Sequence, residues 1–282
     1  MRYGMNLLLW TDTLDDAALP LLGEIKQIGF DAVELPLFEA DVKKYAAWAK
    51  HLDNAGLART AVTVRGAEDN PMSHDPKIRR KGIDANKAAL DCCQAVGAKT
   101  MVGPFHSALG FFSGAGATKD EWNRAVESMK EVAEYAETCG VTLALECVNR
   151  FECYLLNTAA QGVRFCQDVG HPRCKMMYDT FHSHIEEKNT AASIRALKDV
   201  LVHVHISEND RSTPGAGAIR WGETFDTLHE IGYDNLMVIE AFGSALERLL
   251  PATKIWRQMF QTERQLASDG LKFMKDEVAK RW

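Results

Sequence analysis

Four residues of types that bind metal ions follow four apolar runs in the second half of the chain. The runs end in Glu146, Asp179, His205 and Glu240, and a loop is expected after each of them. Burying a carboxylate at the end of an apolar strand is costly unless a partner compensates its charge. One divalent cation held by all four side chains would compensate them together. Oxygen ligands with one imidazole suit Mn²⁺, Mg²⁺ or Co²⁺ better than structural zinc.

The two glutamates add proton chemistry to this predicted metal site. A cation that binds a sugar's carbonyl oxygen and neighbouring hydroxyl acidifies the adjacent carbon-bound hydrogen and stabilises an enediolate. Glu146 and Glu240 end strands that lie three apart in chain order, so the carboxylates can face each other across a substrate. One can remove the proton from one face and the other can return it to the opposite face. We therefore predict epimerisation, with both glutamates as metal ligands and as catalytic acid and base.

Each of these residues taken alone has a simpler interpretation. A single carboxylate at a strand end often accepts hydrogen bonds from loop amides. A single buried histidine often belongs to the core, as we expect for His203. The occurrence of four such residues on four consecutive strands favours the metal site.

Three further polar residues follow the same strand ends. Glu152, His182 and Arg211 are predicted to bind substrate hydroxyls or to hold the metal-binding carboxylates through hydrogen bonds. The alternatives are that Glu152 pairs only with Arg150 and that Arg211 is a solvated loop charge. His184, two residues beyond His182, is expected to be structural.

Short apolar runs alternate with longer amphipathic stretches along the chain, in eight strand–helix cycles. We predict one (β/α)₈ TIM-barrel domain over residues 1–282, in which the carboxyl ends of strands five to eight share one mouth. An open doubly wound sheet is disfavoured because no Gly-x-Gly-x-x-Gly follows the first strand. Ligands on consecutive strands also converge on one point only if the sheet closes.

Three element boundaries carry specific predictions. The first strand is predicted over Tyr3–Leu9, and a strong helix is predicted over Lys119–Cys139, before Gly140. A glycine directly after a helix suits a left-handed C-cap. The long final helix is predicted to begin near Pro251.

The composition argues against several classes of protein. The chain has 282 residues and a formal net charge of −6 without a basic patch, so neither nucleic acid nor an anionic membrane surface is an expected partner. No apolar run approaches the roughly 20 residues that cross a bilayer. The first residues are predicted to form a strand rather than a signal peptide. Seven cysteines without a regular framework predict a reduced, cytoplasmic protein.

Longer motifs surround the predicted site residues. They are Leu145-Glu146-Cys147-Val148-Asn149-Arg150-Phe151-Glu152, Asp179-Thr180-Phe181-His182 with Ile185-Glu186-Glu187, His205 followed by Arg211, Pro214-Gly215-x-Gly217 and Trp221, and Glu240 in Val-Ile-Glu-Ala-Phe. Together they resemble the D-tagatose 3-epimerase / D-psicose (D-allulose) 3-epimerase family of xylose-isomerase-like TIM barrels. Asp-Thr-x-His alone is shared by that wider superfamily, so the full set of motifs carries the specificity.

The resemblance implies a (β/α)₈ barrel with one divalent metal per subunit, bound by the four residues named first. It implies inversion of C3 of a free ketohexose or ketopentose, with Glu146 and Glu240 as the acid–base pair. It assigns Glu152, His182 and Arg211 to the O1–O3 end of the ketose. Family members are usually dimers or tetramers, so a homodimer or homotetramer is expected.

The chain departs from the family pattern where the far end of the sugar would pack. Relatives often have aromatic residues in strand one, where this chain has Asn6-Leu7-Leu8-Leu9. Leu109 and Ala241 replace a common tryptophan and a common proline. Phe105 and His106 are candidates for contacting the distal hydroxyls. These departures leave the identity of the ketose open.

Four other functions can be built on a barrel of this kind, and the residues argue against two of them. An aldose–ketose isomerase or an inosose dehydratase could use a similar single-metal barrel. A DNA-repair nuclease of the endonuclease IV type would need further histidines after strands two to four, and strand three continues into Val64-Arg65-Gly66-Ala67-Glu68 without one. A sugar-binding barrel without activity is disfavoured because both glutamates are present.

Overall fold

Eight parallel strands hydrogen-bond to one another in chain order, and the last strand pairs with the first to close a barrel. The computed structural model describes all residues, 1–282. The strands are β1 (Arg2–Asn6), β2 (Ala32–Pro36), β3 (Ala58–Val62), β4 (Thr100–Gly103), β5 (Thr142–Leu145), β6 (Cys174–Asp179), β7 (Leu201–Ile206) and β8 (Leu236–Ile239). The predicted (β/α)₈ TIM-barrel fold is confirmed.

Ten α-helices follow or connect these strands. They are α1 (Leu19–Ile28), α2 (Val42–Ala55), α3 (Pro76–Val96), α4 (Lys119–Cys139), α5 (Ala159–Val169), α6 (Thr180–Glu186), α7 (Thr190–Ala196), α8 (Trp221–Glu230), α9 (Leu250–Thr253) and α10 (Glu263–Ala279). Short 3₁₀ helices cover Leu7–Leu9, Asp16–Ala18, Ala67–Asp69 and Glu247–Leu249. None of the helices combines the length and the apolar character that crossing a bilayer requires.

Local capping explains why α4 has the predicted boundaries. Thr118 and Glu121 form a capping box, in which the Thr118 amide donates to Glu121 Oε2 over 2.8 Å and the Glu121 amide donates to Thr118 Oγ1 over 3.2 Å. At the other end, Gly140 has a φ of 66°, the left-handed conformation that glycine adopts without strain. Both ends of this helix are therefore encoded by neighbouring residues.

Two predicted boundaries are wrong. β1 ends at Asn6, because the Asn6 side chain accepts a hydrogen bond from the Leu8 amide over 2.9 Å and starts the 3₁₀ turn Leu7–Leu9. The final helix begins at Glu263 rather than near Pro251. The earlier turn, α9, ends where Lys254 takes a left-handed φ of 61°.

Side chains alternate along each strand between the barrel interior and the surrounding helices. In β7, Val204 and Ile206 belong to the main core between barrel and helices, whereas His203 and His205 face the interior. A separate apolar cluster fills part of the interior and consists of Leu8, Val62, Val102, Ala144 and Met177. The same alternation turns Glu146 and Glu240 inward at the mouth, one residue beyond β5 and β8.

Candidate active site

The four predicted metal-binding residues meet at the carboxyl-terminal mouth of the barrel. One ligand atom from each of Glu146, Asp179, His205 and Glu240 lies within 4.8 Å of the others, and all four residues are buried. His205 Nδ1 lies 3.4 Å from Asp179 Oδ2 and 3.5 Å from Glu240 Oε1. The sequence prediction that these side chains share one centre therefore agrees with the geometry.

The polar atoms of this cluster fit a divalent cation. Glu146 Oε1 and His205 Nδ1 are buried without a hydrogen-bond partner, which is uncommon for buried polar atoms. Burial, and then the charges of Glu240 and Asp179, raise the pKa of Glu146 well above its ordinary value. Three carboxylates and an imidazole lone pair converge here, and a cation would offset both the burial cost and the mutual repulsion.

Asp179 divides its two oxygens between the local helix and the cluster. Oδ1 caps α6 by accepting from the amides of Phe181 (2.7 Å) and His182 (3.3 Å). Oδ2 is left facing His205 and Arg211. Burial alone would raise the pKa of Asp179, but the positive charge of Arg211 holds it below its ordinary range.

Arg211 lies within the cluster rather than in a solvated loop. Its Nη1 donates to Glu240 Oε2 over 2.6 Å, to Ser207 Oγ over 2.8 Å and to Asp179 Oδ2 over 3.1 Å. The guanidinium carbon lies 3.9 Å from the centre of the Phe181 ring, a cation–π contact. Arg211 also has a φ of 63°, a conformation that costs about 1–3 kcal/mol in a non-glycine residue and that surrounding contacts must maintain.

Glu152 and His182 lie beside Arg211. Glu152 accepts from Asn149 Nδ2 over 2.8 Å, and burial raises its pKa. The backbone amide of Asn149 donates to His182 Nδ1 over 3.1 Å, while His182 Nε2 lies 2.7 Å from Arg211 Nη2. Burial, and then Arg211, lowers the pKa of His182 to about 3, so the ring is neutral at pH 7.

The alternative pairing predicted for Glu152 is absent. Arg150 instead forms an ion pair with Glu186, with 2.9 Å between Nη2 and Oε2. His184 is exposed and stands outside the cluster, as expected for a residue without a role in the site.

A cavity of about 130 Å³ opens from the cluster. That is about four times the ~30 Å³ share of one water molecule in the liquid, which suits a small molecule. The polar part of its lining, called the polar end below, consists of Glu146, Glu152, His182, Arg211 and Glu240. The apolar part, called the apolar end below, consists mainly of Leu8, Val62, Val64, Pro104, Leu109, Phe242 and Leu249. Leu8 and Leu109 belong to the segments that depart from the family pattern.

Phe105 and His106 do not reach this cavity. Both are fully buried, and His106 Nε2 lies 2.9 Å from the backbone oxygen of Glu146, with Ser107 Oγ 3.0 Å from Nδ1. The hypothesis that they contact distal hydroxyls is therefore wrong. His106 holds the end of β5 instead, because its ring caps a backbone group that the strand leaves unpaired.

Two polar residues of the barrel interior were missed from the sequence. Glu34 lies in β2 and is fully buried, and its carboxylate contacts both His203 and His205. Asn6, at the end of β1, donates to Glu34 and to Glu240. A glutamate inside the otherwise apolar run Ala32–Pro36 was the available signal, because a buried charge requires a partner.

Comparisons with known proteins identify the family to which the chain belongs. The profile of the xylose isomerase-like TIM barrel family matches residues 22–277. The chain is 32% identical to D-psicose 3-epimerase of Ruminiclostridium cellulolyticum, over 97% of this chain and 98% of the relative. It is 31% identical to L-ribulose 3-epimerase of Mesorhizobium japonicum, over 97% of this chain and 93% of the relative. A solved structure of an L-ribulose 3-epimerase superposes with a TM-score of 0.93, at 31% identity, covering 99% of this chain and 95% of that one.

The full-length relatives are epimerases and the closed barrel has a buried polar mouth, so the chain is an enzyme of the isomerase class, as predicted. The chain belongs to the xylose isomerase-like TIM barrel family, and within it to the group of ketose 3-epimerases. The family resemblance read from the motifs is therefore confirmed.

Proposed function

We propose that this protein is a metal-dependent ketose 3-epimerase that inverts C3 of a free ketohexose or ketopentose. The observation that carries the proposal is the convergence of Glu146 and Glu240 on one buried cavity large enough for a small molecule. Relatives named D-psicose 3-epimerase and L-ribulose 3-epimerase support the same reaction.

Glu146, Asp179, His205 and Glu240 would hold the cation, with Mn²⁺ preferred over Mg²⁺ or Co²⁺. When bound, it would polarise the carbonyl and hydroxyl oxygens at C2 and C3 and offset the negative charge that develops on them. One carboxyl then removes the C3 proton, and the other delivers a proton to the opposite face. Because their roles exchange with the direction of reaction, both glutamates are required in both directions.

Glu152, His182 and Arg211 would orient the O1–O3 end of the ketose. Arg211 fits this role because ion pairs with Asp179 and Glu240 hold its guanidinium in place. Its positive charge is therefore presented to the substrate from a fixed position. A neutral His182 can form a hydrogen bond with a substrate hydroxyl group without adding charge to the site. Holding the sugar in one pose lowers the entropic part of the barrier.

The apolar end of the cavity favours an unphosphorylated substrate. Among the residues that line the cavity, Arg211 is the one cation, and three oxygens already accept hydrogen bonds from its Nη1. A phosphate on the distal carbon would be desolvated against Leu8, Leu109 and Leu249 without a compensating charge. We therefore expect free ketoses to react far better than their terminal phosphates.

Further features of the proposal concern the whole molecule. The barrel would form one domain over residues 1–282, and the protein would be a cytoplasmic homodimer or homotetramer. The seven cysteines are all free, and free cysteines suit a reducing compartment. Sedimentation-velocity centrifugation would distinguish the monomer from the two assemblies.

The test of the reaction uses Mn²⁺-loaded protein and a panel of free ketohexoses and ketopentoses. Chromatography should find the C3 epimer of the preferred ketose, and in D₂O one deuterium should be incorporated at C3. Chelation of the metal should abolish conversion, and added Mn²⁺ should restore it. An aldose product would instead indicate an aldose–ketose isomerase, and a dehydrated product would indicate a dehydratase such as one acting on inosose.

A further inference from the structure

A second group of polar residues lies inside the barrel beneath the candidate metal site, and Glu34 is at its centre. One oxygen of Glu34 accepts from His205 Nε2 over 2.7 Å and from Asn6 Nδ2 over 2.9 Å. The other accepts from Thr60 Oγ1 over 2.7 Å and lies 3.0 Å from His203 Nε2. A carboxylate with this many partners, fully buried, is held in one orientation.

The contact with Glu34 determines which nitrogen of His205 faces the mouth. Nε2 is hydrogen-bonded to a carboxylate oxygen, which can only accept, so Nε2 carries the ring proton. Nδ1 therefore presents its lone pair toward Asp179 and Glu240, where it is buried without a hydrogen-bond partner. A carboxylate behind a histidine fixes both the tautomer and the ring orientation of a metal-binding imidazole.

Asn6 connects the same carboxylate to Glu240. The Leu8 amide donates to Asn6 Oδ1 over 2.9 Å, which assigns the side-chain oxygen and leaves Nδ2 free to donate. Its two hydrogens can then serve Glu34 Oε1 at 2.9 Å and Glu240 Oε1 at 3.3 Å. An amide can bridge two carboxylates in this way without adding a charge.

We propose that Glu34 and Asn6 are positioning residues of the active site. Glu34 aims His205 Nδ1 at the bound cation, and Asn6 orients the carboxylate of Glu240 toward the cation and the substrate. This inference rests on the proposed function, since it assigns the same metal site. It also predicts an order of importance, because Glu34 fixes both the tautomer and the orientation of the His205 ring over 2.7 Å, whereas Asn6 contacts one oxygen of Glu240 over 3.3 Å.

The main test is the affinity of metal-free protein for MnCl₂, measured by isothermal titration calorimetry. Glu34→Gln should weaken Mn²⁺ binding by roughly 10- to 100-fold, the usual effect of removing such a partner. Asn6→Leu should weaken binding by less than about tenfold and should lower kcat more than it raises KM. The electron paramagnetic resonance spectrum of bound Mn²⁺ should change in both variants.

Two control variants separate positioning from general destabilisation. Thr60→Val removes one hydrogen bond to Glu34 but leaves the Glu34–His205 and Asn6–Glu240 contacts in place, so its effect on Mn²⁺ affinity should be smaller than that of Glu34→Gln. Ser128→Ala removes the buried hydrogen bond from Ser128 Oγ to the Pro71 oxygen (2.7 Å) in a remote helix. It should lower the melting temperature and leave Mn²⁺ affinity and spectrum unchanged.

The possible outcomes distinguish this inference from the proposed reaction. Wild-type Mn²⁺ affinity and spectrum in both Glu34→Gln and Asn6→Leu would overturn the inference, even in an active epimerase. A wild-type protein that binds Mn²⁺ but converts no ketose would overturn the reaction, while weakened binding in the variants would still support positioning. Two Mn²⁺ ions per chain would also overturn the inference, because Glu34, His203 and His205 would then form a second metal site. If Glu34→Gln does not fold, the test rests on Asn6→Leu, in which an apolar side chain of similar volume replaces the amide.

Discussion

The two ends of the cavity are built in different ways. At the polar end, Asp179 is the last residue of β6, Glu240 directly follows β8 and Arg211 lies in the loop after β7, and hydrogen bonds hold each of them. At the apolar end, Leu109 and Leu249 come from loops and short helical turns and touch the cavity through van der Waals contacts only. A site that must hold atoms within tenths of an ångström requires the first kind of support.

This difference separates reaction from selectivity. A change at the polar end disturbs a connected network, in which each group depends on several others. A change at the apolar end alters the volume and surface offered to the distal carbons and leaves that network intact. We therefore expect polar-end variants to lose turnover and apolar-end variants to redistribute it among substrates.

The largest effect should follow the loss of either proposed acid–base residue. Glu146→Gln and Glu240→Gln keep the volume of the side chain but remove its proton transfer, which contributes about 10²–10⁴-fold in typical enzymes. Each change also removes a proposed metal ligand, so the fall in kcat should reach at least the upper part of that range. Steady-state kinetics at saturating Mn²⁺ and circular dichroism would check the activity and the fold. Near wild-type turnover in either folded variant would refute the two-carboxylate mechanism.

The four candidate metal ligands could be predicted from the sequence because they follow a local rule. Glu146, Asp179, His205 and Glu240 each end an apolar run, and consecutive barrel strands bring their ends to one mouth. Strand alternation then decides that all four face inward. Nothing beyond periodicity and residue type was needed to bring them together.

The support beneath the polar end could not be predicted in the same way. The contact between Glu34 and His205 joins residues 171 positions apart, across the barrel from β2 to β7. No local pattern specifies such a partner. His106 was misassigned for a related reason, since its ring turns away from the cavity to a backbone oxygen of β5 that sequence does not reveal.

The next effect in size concerns Arg211. Lysine keeps the charge but lacks the planar fork that spans Glu240, Ser207 and the side of His182. Loss of a hydrogen bond to a charged group costs about 1.5–3 kcal/mol, so Arg211→Lys should lower kcat/KM roughly 10- to 100-fold. Initial rates with the preferred ketose would measure this. A loss below about threefold would mean that the positive charge alone is sufficient.

A smaller and different effect is expected at the apolar end. Leu109→Ala enlarges the distal part of the cavity and removes contacts that a shorter sugar would still use. The kcat/KM for ketohexoses relative to ketopentoses should rise by about tenfold or less, because burying a methylene group is worth about 0.8 kcal/mol and tenfold corresponds to about 1.4 kcal/mol. Competition between one hexose and one pentose in the same tube would measure the ratio. An equal fall for both sugars would contradict the separation of the two ends.

The smallest effect should come from an ion pair that ties the apolar end to the first loop of the barrel. Arg248 Nη2 lies 2.6 Å from Asp12 Oδ1, next to Leu249, which lines the cavity. The Arg248 side chain is 76% exposed, and exposed ion pairs contribute about 0.2–1 kcal/mol. Arg248→Ala should therefore raise KM by about fivefold at most and leave kcat unchanged, because no polar-end group is involved. High salt should reduce the difference between variant and wild type, since screening already weakens the pair.

Arg264→Ala is the matched control. It removes an exposed ion pair with Glu24, 3.0 Å long, that touches no residue of the cavity. This variant should leave KM at the wild-type value.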